Sequence, residues 1–550
     1  MKKIPIFLLL FVFRSLALTG WTDPLPVTAA VGDIQDFTFS ISSDKGAGLF
    51  SYACNGGSAV NGIYLKTSFP GELSWSQNVL LSTENNDALS PSVSGLNNNI
   101  YSAWLDDNQG VYRVLFRRGR EDAVELSSGG NCTSVKLFAG TGSCVHTAWA
   151  EGGVIFYRKG FNNGSNWSDL KTVGASPSDK PFIFEANGRL LLLWQGGSPA
   201  AVNYSVSTDG GNTWSAESNI SSFGIASLAG AVDMSGVVYA VWEQANKIFF
   251  RKYGLIGWEM EKTVSTNTSG IAKYPAVAAD ADGIIYVFWT DNRSGGYKLY
   301  NSLSVDLGMT FTAETELASL PAAEKITAGS YKNNLHLFWK ESGQVYSRVK
   351  DTAAPSPAKI ASPTHTPAGG GSNNNCPVFT IIAEDNEGGT GIKGLSYIFD
   401  REPATVPETA INFTGNTLCF PKTANGKWYL HVKTADFLGN WSSTVHFTVM
   451  INNVSLLPGG EAWCFPNPVR SGEPKIRYFV PEDAGVELAV FNEAGDMVVS
   501  RTKEAKTGIN EIADLDTSGW ANGVYFCKIR ANSRITGNKA EIVKKLVLMR

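Results

Sequence analysis

Six tryptophans fall on a nearly constant period. Trp104, Trp149, Trp194, Trp242, Trp289 and Trp339 are separated by 45, 45, 48, 47 and 50 residues. Each closes a short apolar run, as Ile284-Ile285-Tyr286-Val287-Phe288 does before Trp289. A weaker copy, Leu49-Phe50-Ser51-Tyr52, precedes them. No run shows sustained helical periodicity, and Gly, Asn, Ser and Asp separate the runs, so each unit reads as short strands joined by tight turns. A period of this length fits one four-stranded blade of a β-propeller per repeat, because a single small sheet buries its faces only by stacking on its neighbours.

Lettering the strands of a unit A to D from axis to rim makes the tryptophan strand B. Strand C follows at Tyr112–Phe116, Ile155–Tyr157, Tyr204–Ser207, Ile248–Arg251, Tyr297–Tyr300 and Val345–Arg348. Strand D is expected to open on an aromatic residue, as at Trp75-Ser76, Trp167-Ser168, Trp214-Ser215, Trp258-Glu259 and Phe311-Thr312; the second unit keeps only Ala123–Ser127. The last unit, Lys325–Lys350, has no D strand. Trp21-Thr22-Asp23-Pro24-Leu25-Pro26-Val27-Thr28 reads like one, and pairing it with Val345–Val349 closes the ring and removes two exposed edges. The expected fold is therefore all-β, a seven-bladed propeller over 21–350 with closure by the N-terminal strand. Six blades is the alternative, because the first unit is weak.

At 550 residues the chain has room for more than this domain. Residues 351–375, rich in Pro, Ala, Gly and Ser, read as a linker, and 376–453 and 462–550 read as two small β-sandwiches. Residues 1–20 carry Lys2 and Lys3, the apolar run Ile4–Phe13 and small residues at Ser15 and Ala17, the pattern of a cleaved signal peptide. No later segment is expected to span a membrane. Only 17% of residues are charged and the net charge is -4, so no basic footprint for nucleic acid exists. In an exported chain the seven cysteines invite disulfides, and Cys132 with Cys144, Cys376 with Cys419, and Cys464 with Cys527 share regions, leaving Cys54 as a buried thiol. No Cys/His spacing marks a metal site, and no cofactor is expected.

Ser207-Thr208-Asp209-Gly210-Gly211-Asn212-Thr213-Trp214 resembles the Asp box of sialidases and related propellers, S-x-D-x-G-x-T-W, and Ser304–Phe311 is a second copy ending in Phe311. Asp209 and Asp306 are expected to build their own turns, with Trp214 and Phe311 packing into the blade. These boxes join strands C and D on one face, so the B–C and D–A loops open on the other, where sialidase-like propellers place their sites. Residues just past each strand-B tryptophan are the candidate ligand contacts: Asp106, Asp107, Glu151, Gln195, Glu243, Asp291, Arg293 and Glu341. One reading has each bond its own B–C turn. The other has them form an acidic mouth that recognises sugar hydroxyls, peptide amines or Ca²⁺.

Resemblance to sialidases implies an arginine triad, a Tyr–Glu nucleophile pair and an acidic proton donor. The Arg-Ile-Pro motif has no counterpart, and residues 30–90 contain no arginine, so no catalytic set transfers. Gly426-Lys427-Trp428-Tyr429-Leu430-His431-Val432 and Asp436-Phe437-Leu438-Gly439-Asn440 resemble a bacterial extracellular immunoglobulin-like module. Phe465-Pro466-Asn467-Pro468, Lys475–Pro481, Val486–Phe491, Gly523–Phe526 and Lys544–Arg550 resemble the C-terminal sorting domains of the type IX secretion system, with Asn492 in place of the usual acidic turn residue. The resulting expectation is an exported surface or secreted propeller that binds extracellular glycan or protein without catalysis and meets the secretion machinery through its last domain. The alternative is a sialidase-like glycoside hydrolase.

Overall fold

A computed structural model describes residues 21–550, apart from 29–31, 43–45, 56–59, 69–72, 84, 175–176, 267–268, 319–323, 366–371, 373, 388, 453–454, 459–460 and 535–536. The proposed signal peptide, residues 1–20, lies outside the described residues. Among those described, regular structure is entirely β, and seven antiparallel sheets of four or five strands follow one another from Leu25 to Lys350. Their inner strands are Ile34–Ile41, Ala88–Leu96, Cys132–Gly140, Ser178–Ala186, Ile225–Val232, Ala272–Ala279 and Ile326–Tyr331. Each lies beside the inner strands of its neighbours, and the seventh lies beside the first, so the sheets form a closed propeller ring.

The sheets are held apart and together by the repeated tryptophans. All six are at most 1% exposed and sit between adjacent sheets in the apolar clusters. Each removes roughly 200 Å² from water, about 5 kcal/mol of burial before entropy is counted. In the weak first unit Tyr52 holds the tryptophan's register position and stacks on Tyr64 at 5.4 Å, while Phe50 stacks on Phe338 of the last sheet at 5.5 Å.

Closure occurs where expected. Leu25 and Pro26 pair with Ser347 and Tyr346, and Trp21 bridges Lys350. Thr22 N donates to Val349 O at 2.9 Å, Val349 N to Thr22 Oγ1 at 3.1 Å, and Val27 N to Val345 O at 2.9 Å. Three rim strands differ from expectation and begin a few residues beyond the aromatic, at Val79–Leu80, Ser218–Asn219 and Thr315–Ala318. In two sheets the rim splits into two short strands, Asn166–Trp167 with Lys171–Gly174 and Gly257–Trp258 with Lys262–Thr263. Trp214 and Phe311 pack on the neighbouring blade instead of extending the ladder: Trp214 meets Tyr157 edge-on at 5.0 Å and Phe311 meets Phe250 at 5.1 Å.

Residues 21–355 with 385–392 and 435–440 form one compact unit, and the rest of the chain forms a second. Lys359–Ala361, Val378–Ile382 and Thr417–Cys419 make one sheet and Ile392–Asp400, Gly426–Asp436 and Val445–Ile451 another, around the core of Phe379, Leu395, Leu430 and Phe447. The segment read as a linker thus contributes a strand. In the last domain, Ala462–Phe465, Lys475–Val480 and Gly508–Ile512 form one sheet, and Ala484–Phe491, Met497–Ala505, Gly523–Ser533 and Lys539–Leu548 the other.

All seven cysteines are thiols. Cys132 and Cys144 were expected to flank one hairpin closely enough to join, but Cys132 lies opposite Glu151 and Cys144 opposite Gly140, at the two ends of the ladder. At about 3.3 Å per residue that separation forbids a disulfide. Cys376 precedes the pair Val378–Cys419 by two positions and its thiol donates to Asn375 Oδ1 at 3.5 Å. Cys464 and Cys527 are buried in the last core with their thiols hydrogen-bonded to one another.

Candidate functional site

The inner strands enclose an axial cavity of about 790 Å³ at the end where they begin, and a second of about 520 Å³ at the end where they finish. The first opens on the face of the D–A and B–C loops. The Asp boxes lie on the opposite face. Asp209 accepts from Ser207 Oγ at 2.8 Å, Thr213 N at 2.9 Å and Thr213 Oγ1 at 2.6 Å, and Asp306 repeats the pattern with Ser304 and Thr310. Those hydrogen bonds, the threonine hydroxyl first, hold both carboxyls down to about 2. At Gly211, φ is +93°, and a Cβ there would collide with Tyr157 of the preceding blade. These turns are construction.

Most residues past the tryptophans also bond locally, and the strand explains why. Side chains two apart share a face, so the second residue after each tryptophan points where the indole does rather than into the bore. Asp106 accepts from Trp104 Nε1 at 3.2 Å and Asn86 Nδ2 at 2.6 Å. Glu151 accepts from Trp149 Nε1 at 2.9 Å, from Ser128 N at 3.2 Å, and from Ser128 Oγ and Gly130 N. Burial opposes its charge, but these hydrogen bonds outweigh it and hold the carboxyl below the usual range. Glu341 receives Trp339 Nε1 at 3.4 Å. Asp291 pairs with Arg293 Nη2 at 2.6 Å, and Arg293 also bonds Glu314 and lies 4.3 Å over the Tyr300 ring. Asp107 accepts from Gly110 N at 2.6 Å within its own turn. Gln195 donates to Ile225 O at 3.4 Å. Of the eight, Glu243, one position past its tryptophan, lines the axial cavity, and it accepts from Ser227 Oγ at 3.0 Å.

The mouth is built instead by bulges in the inner strands. In six of the seven, the ladder to strand B is interrupted near the start. In the second, fourth and sixth sheets the inserted pairs are Ser90-Pro91, Lys180-Pro181 and Tyr274-Pro275, with Ser90, Lys180 and Tyr274 at φ 49°, 53° and 53°. In the first, third and fifth the extra residues are Gln35, Thr133 and Ala226. Proline suits such positions because a bulge asks for no ladder N–H. Left-handed backbone is unusual for residues as bulky as Lys and Tyr, and both bulges and such strain concentrate at functional sites. Here they turn Lys180 and Tyr274 toward the mouth, Tyr274 with 41% of its surface exposed. Sequence reasoning missed these residues. The recurring X-Pro near the start of alternate inner strands was the available signal.

The charged lining of the mouth comprises Asp36, Lys136, Asp179, Lys180, Glu243, Lys273 and Lys325. Lys325 is ion-paired with Asp36. Asp179 accepts from Thr133 Oγ1 at 2.9 Å and from Ser134 Oγ. Lys273 lies 5.7 Å over the Tyr297 ring. Among the described residues, the carboxylates close enough to share a metal ion are not at the mouth: Asp351, Asp385 and Asp436 lie within 4.8 Å of one another. They accept Thr390 N, Gly391 N and Asn440 N respectively. Burial pushes Asp385 up to about 6 and Asp351 upward as well.

No curated protein matches the chain. Among solved structures it is similar to a Hadza microbial sialidase, Hz136, at 10% identity, covering 58% of this chain and 66% of that one, with a TM-score of 0.37. It is also similar to Trypanosoma rangeli sialidase at 11% identity, covering 76% and 84%, TM-score 0.35. Aleuria aurantia lectin matches at 14% identity over 48% and 91%, TM-score 0.31. No helix of the described residues is long and apolar enough to cross a membrane. Residues 464–548 match the family described as the secretion system C-terminal sorting domain. The chain is therefore that of an exported protein, secreted or held at the outer cell surface, whose last domain is a sorting domain following a β-propeller.

Proposed function

We propose that this protein binds an extracellular glycan or protein at the axial mouth of its propeller and does not catalyse a reaction there. One observation carries the reading: the mouth is equipped for contact but not for acid–base chemistry. Tyr274 and Lys180 are presented on bulges, while Asp36, Asp179 and Glu243 are each engaged by a side chain of the ring. No arginine is among the described residues lining the cavity, so nothing there corresponds to an arginine triad. An exposed tyrosine ring beside hydroxyls and charges is the usual equipment for stacking and hydrogen-bonding a sugar or a peptide. The two sandwiches then serve as spacer and sorting tail.

The purified full-length protein is tested on a glycan array beside fluorogenic glycoside assays. Binding without turnover, weakened by Tyr274→Ala, is the expected result. Turnover that survives purification supports the hydrolase instead, and silence in both assays refutes glycan binding and leaves a protein ligand to be sought by pull-down with the Tyr274→Ala variant as control.

A further inference from the structure

Lys136 sits on the third inner strand where the two axial cavities meet, since it lines both together with Phe182, Thr38 and Gly230. Its ammonium lies 5.5 Å over the Phe182 ring. The other charges at this depth are accounted for. Lys325, across the bore, is committed to Asp36, and Asp179 and Glu243 take hydroxyl hydrogen bonds from the ring. Glu185, at the far end, is taken by Thr141 N at 2.7 Å and Thr141 Oγ1 at 2.6 Å, and Asp233 by its own turn and Tyr239. Among the described residues no carboxylate comes within ion-pairing distance of Lys136. Of the two ammonium groups at this depth, Lys325 has an ion-pair partner and Lys136 has none among the described residues. Lys136 is only partly buried and faces the cavity, so its ammonium is open to an anion that enters the bore.

We infer that Lys136 is the anchor for an anionic group, a carboxylate or a sulfate ester, carried by a ligand that enters through the mouth and lies against Tyr274. The inference rests on the reading of the mouth as a binding site and adds the ligand's charge and the residue that meets it. Small residues around the bore, Gly230 and Ala328 among them, leave room for one such group beside the ammonium. Lys180, on its bulge, supplies a second positive charge nearer solvent and draws an anion inward. Burial, with Lys325 next, lowers the Lys136 amine to about 8, while Asp36 acts weakly the other way. Anion binding then keeps the amine protonated.

The test uses the full chain with its lysines reductively dimethylated with ¹³C, the Lys136 resonance being the one absent from Lys136→Arg. Sodium sulfate and sodium glucuronate are titrated separately at constant ionic strength, which separates the two sources of the charge. A saturable shift of that resonance with either anion, weakening as pH rises through about 8, is expected. In parallel, sulfated, uronate-containing and neutral oligosaccharides are compared on wild type, Lys136→Gln and Lys136→Arg. An anionic ligand should bind at least about tenfold tighter than its neutral counterpart, the worth of one charge-assisted hydrogen bond. That margin should vanish in Lys136→Gln and persist in Lys136→Arg. A resonance that stays still with both anions overturns the inference. Equal binding of neutral and anionic sugars also overturns it, while leaving the mouth as a binding site.

Discussion

Replacing Glu151 decides whether the acidic residues that follow the tryptophans build the ring or meet a ligand. Its carboxylate receives the Trp149 indole, the Ser128 amide and hydroxyl, and the Gly130 amide. Glu151→Ala strands all four donors. Ser128 and Gly130 are exposed, so water replaces the carboxylate there, but Trp149 is 0% exposed and its N–H stays unpaired. One stranded buried donor costs about 1–3 kcal/mol, and the lost charge-assisted bonds bring the total to about 3 kcal/mol. For a ring of this size that lowers Tm by roughly 4 °C. Glu151→Gln keeps one acceptor oxygen and should lose about half as much. The sign with pH follows from the depressed carboxyl. Its stabilisation is complete above the unfolded value of 4.5 and is lost as pH falls through the folded one, so the gap between wild type and Glu151→Gln closes in acid. Guanidinium unfolding followed by tryptophan fluorescence measures it. A midpoint for Glu151→Ala matching wild type, with ligand binding abolished, would refute the structural assignment.

Three further outcomes are expected. His146 is buried and bonded to Tyr157 Oη at 2.8 Å, and burial lowers it to about 4, so the unfolded chain binds more protons between that value and 6.5. Stability should therefore fall by up to about 3 kcal/mol as pH drops through the window, and His146→Gln should remove about half of the slope it shares with His336, as urea melts across pH will show. Deleting residues 21–28 uncovers the edge Gln344–Lys350, and light scattering should then find larger species than the full chain gives. Finally, Cys464 and Cys527 should be recovered as one disulfide-linked peptide pair from the exported protein. The two thiols each lose a proton and together two electrons to the disulfide of a thiol–disulfide oxidoreductase, whereas alkylation of both without reductant would show they remain thiols.

The ring was legible because its determinants are periodic. The tryptophan spacing, the missing last D strand and the Trp21–Thr28 segment that supplies it all follow from burial and edge pairing, which act on every repeat alike. The Asp boxes were legible for a related reason, since Asp209 and Asp306 bond only within five residues of themselves. The site was less so. Asp106, Glu151 and Glu341 were placed at the mouth from their position after strand B, yet alternation sends them to the indole beside them. Lys136 looks like an ordinary outward polar residue of Ser134-Val135-Lys136-Leu137. Only the ring makes its outward face the inside of a bore. The rim strands misled because an aromatic that packs sideways on the next blade occupies the place where a ladder residue was expected.

The N-terminal strand has a temporal consequence. Ribosomes and secretion channels deliver a chain from its N-terminus, so the first segment to emerge is the last to find its partner. The hydrogen bond from Ser347 Oγ to Leu25 O spans 322 residues. Until Val345–Val349 has been made, the ring has an open seam, and the first sheet waits with one flank exposed. Such long-range pairing is slow, so closure comes late in folding. A latch whose two halves lie at opposite ends of the domain acts as a check on completeness: a truncated propeller never shuts.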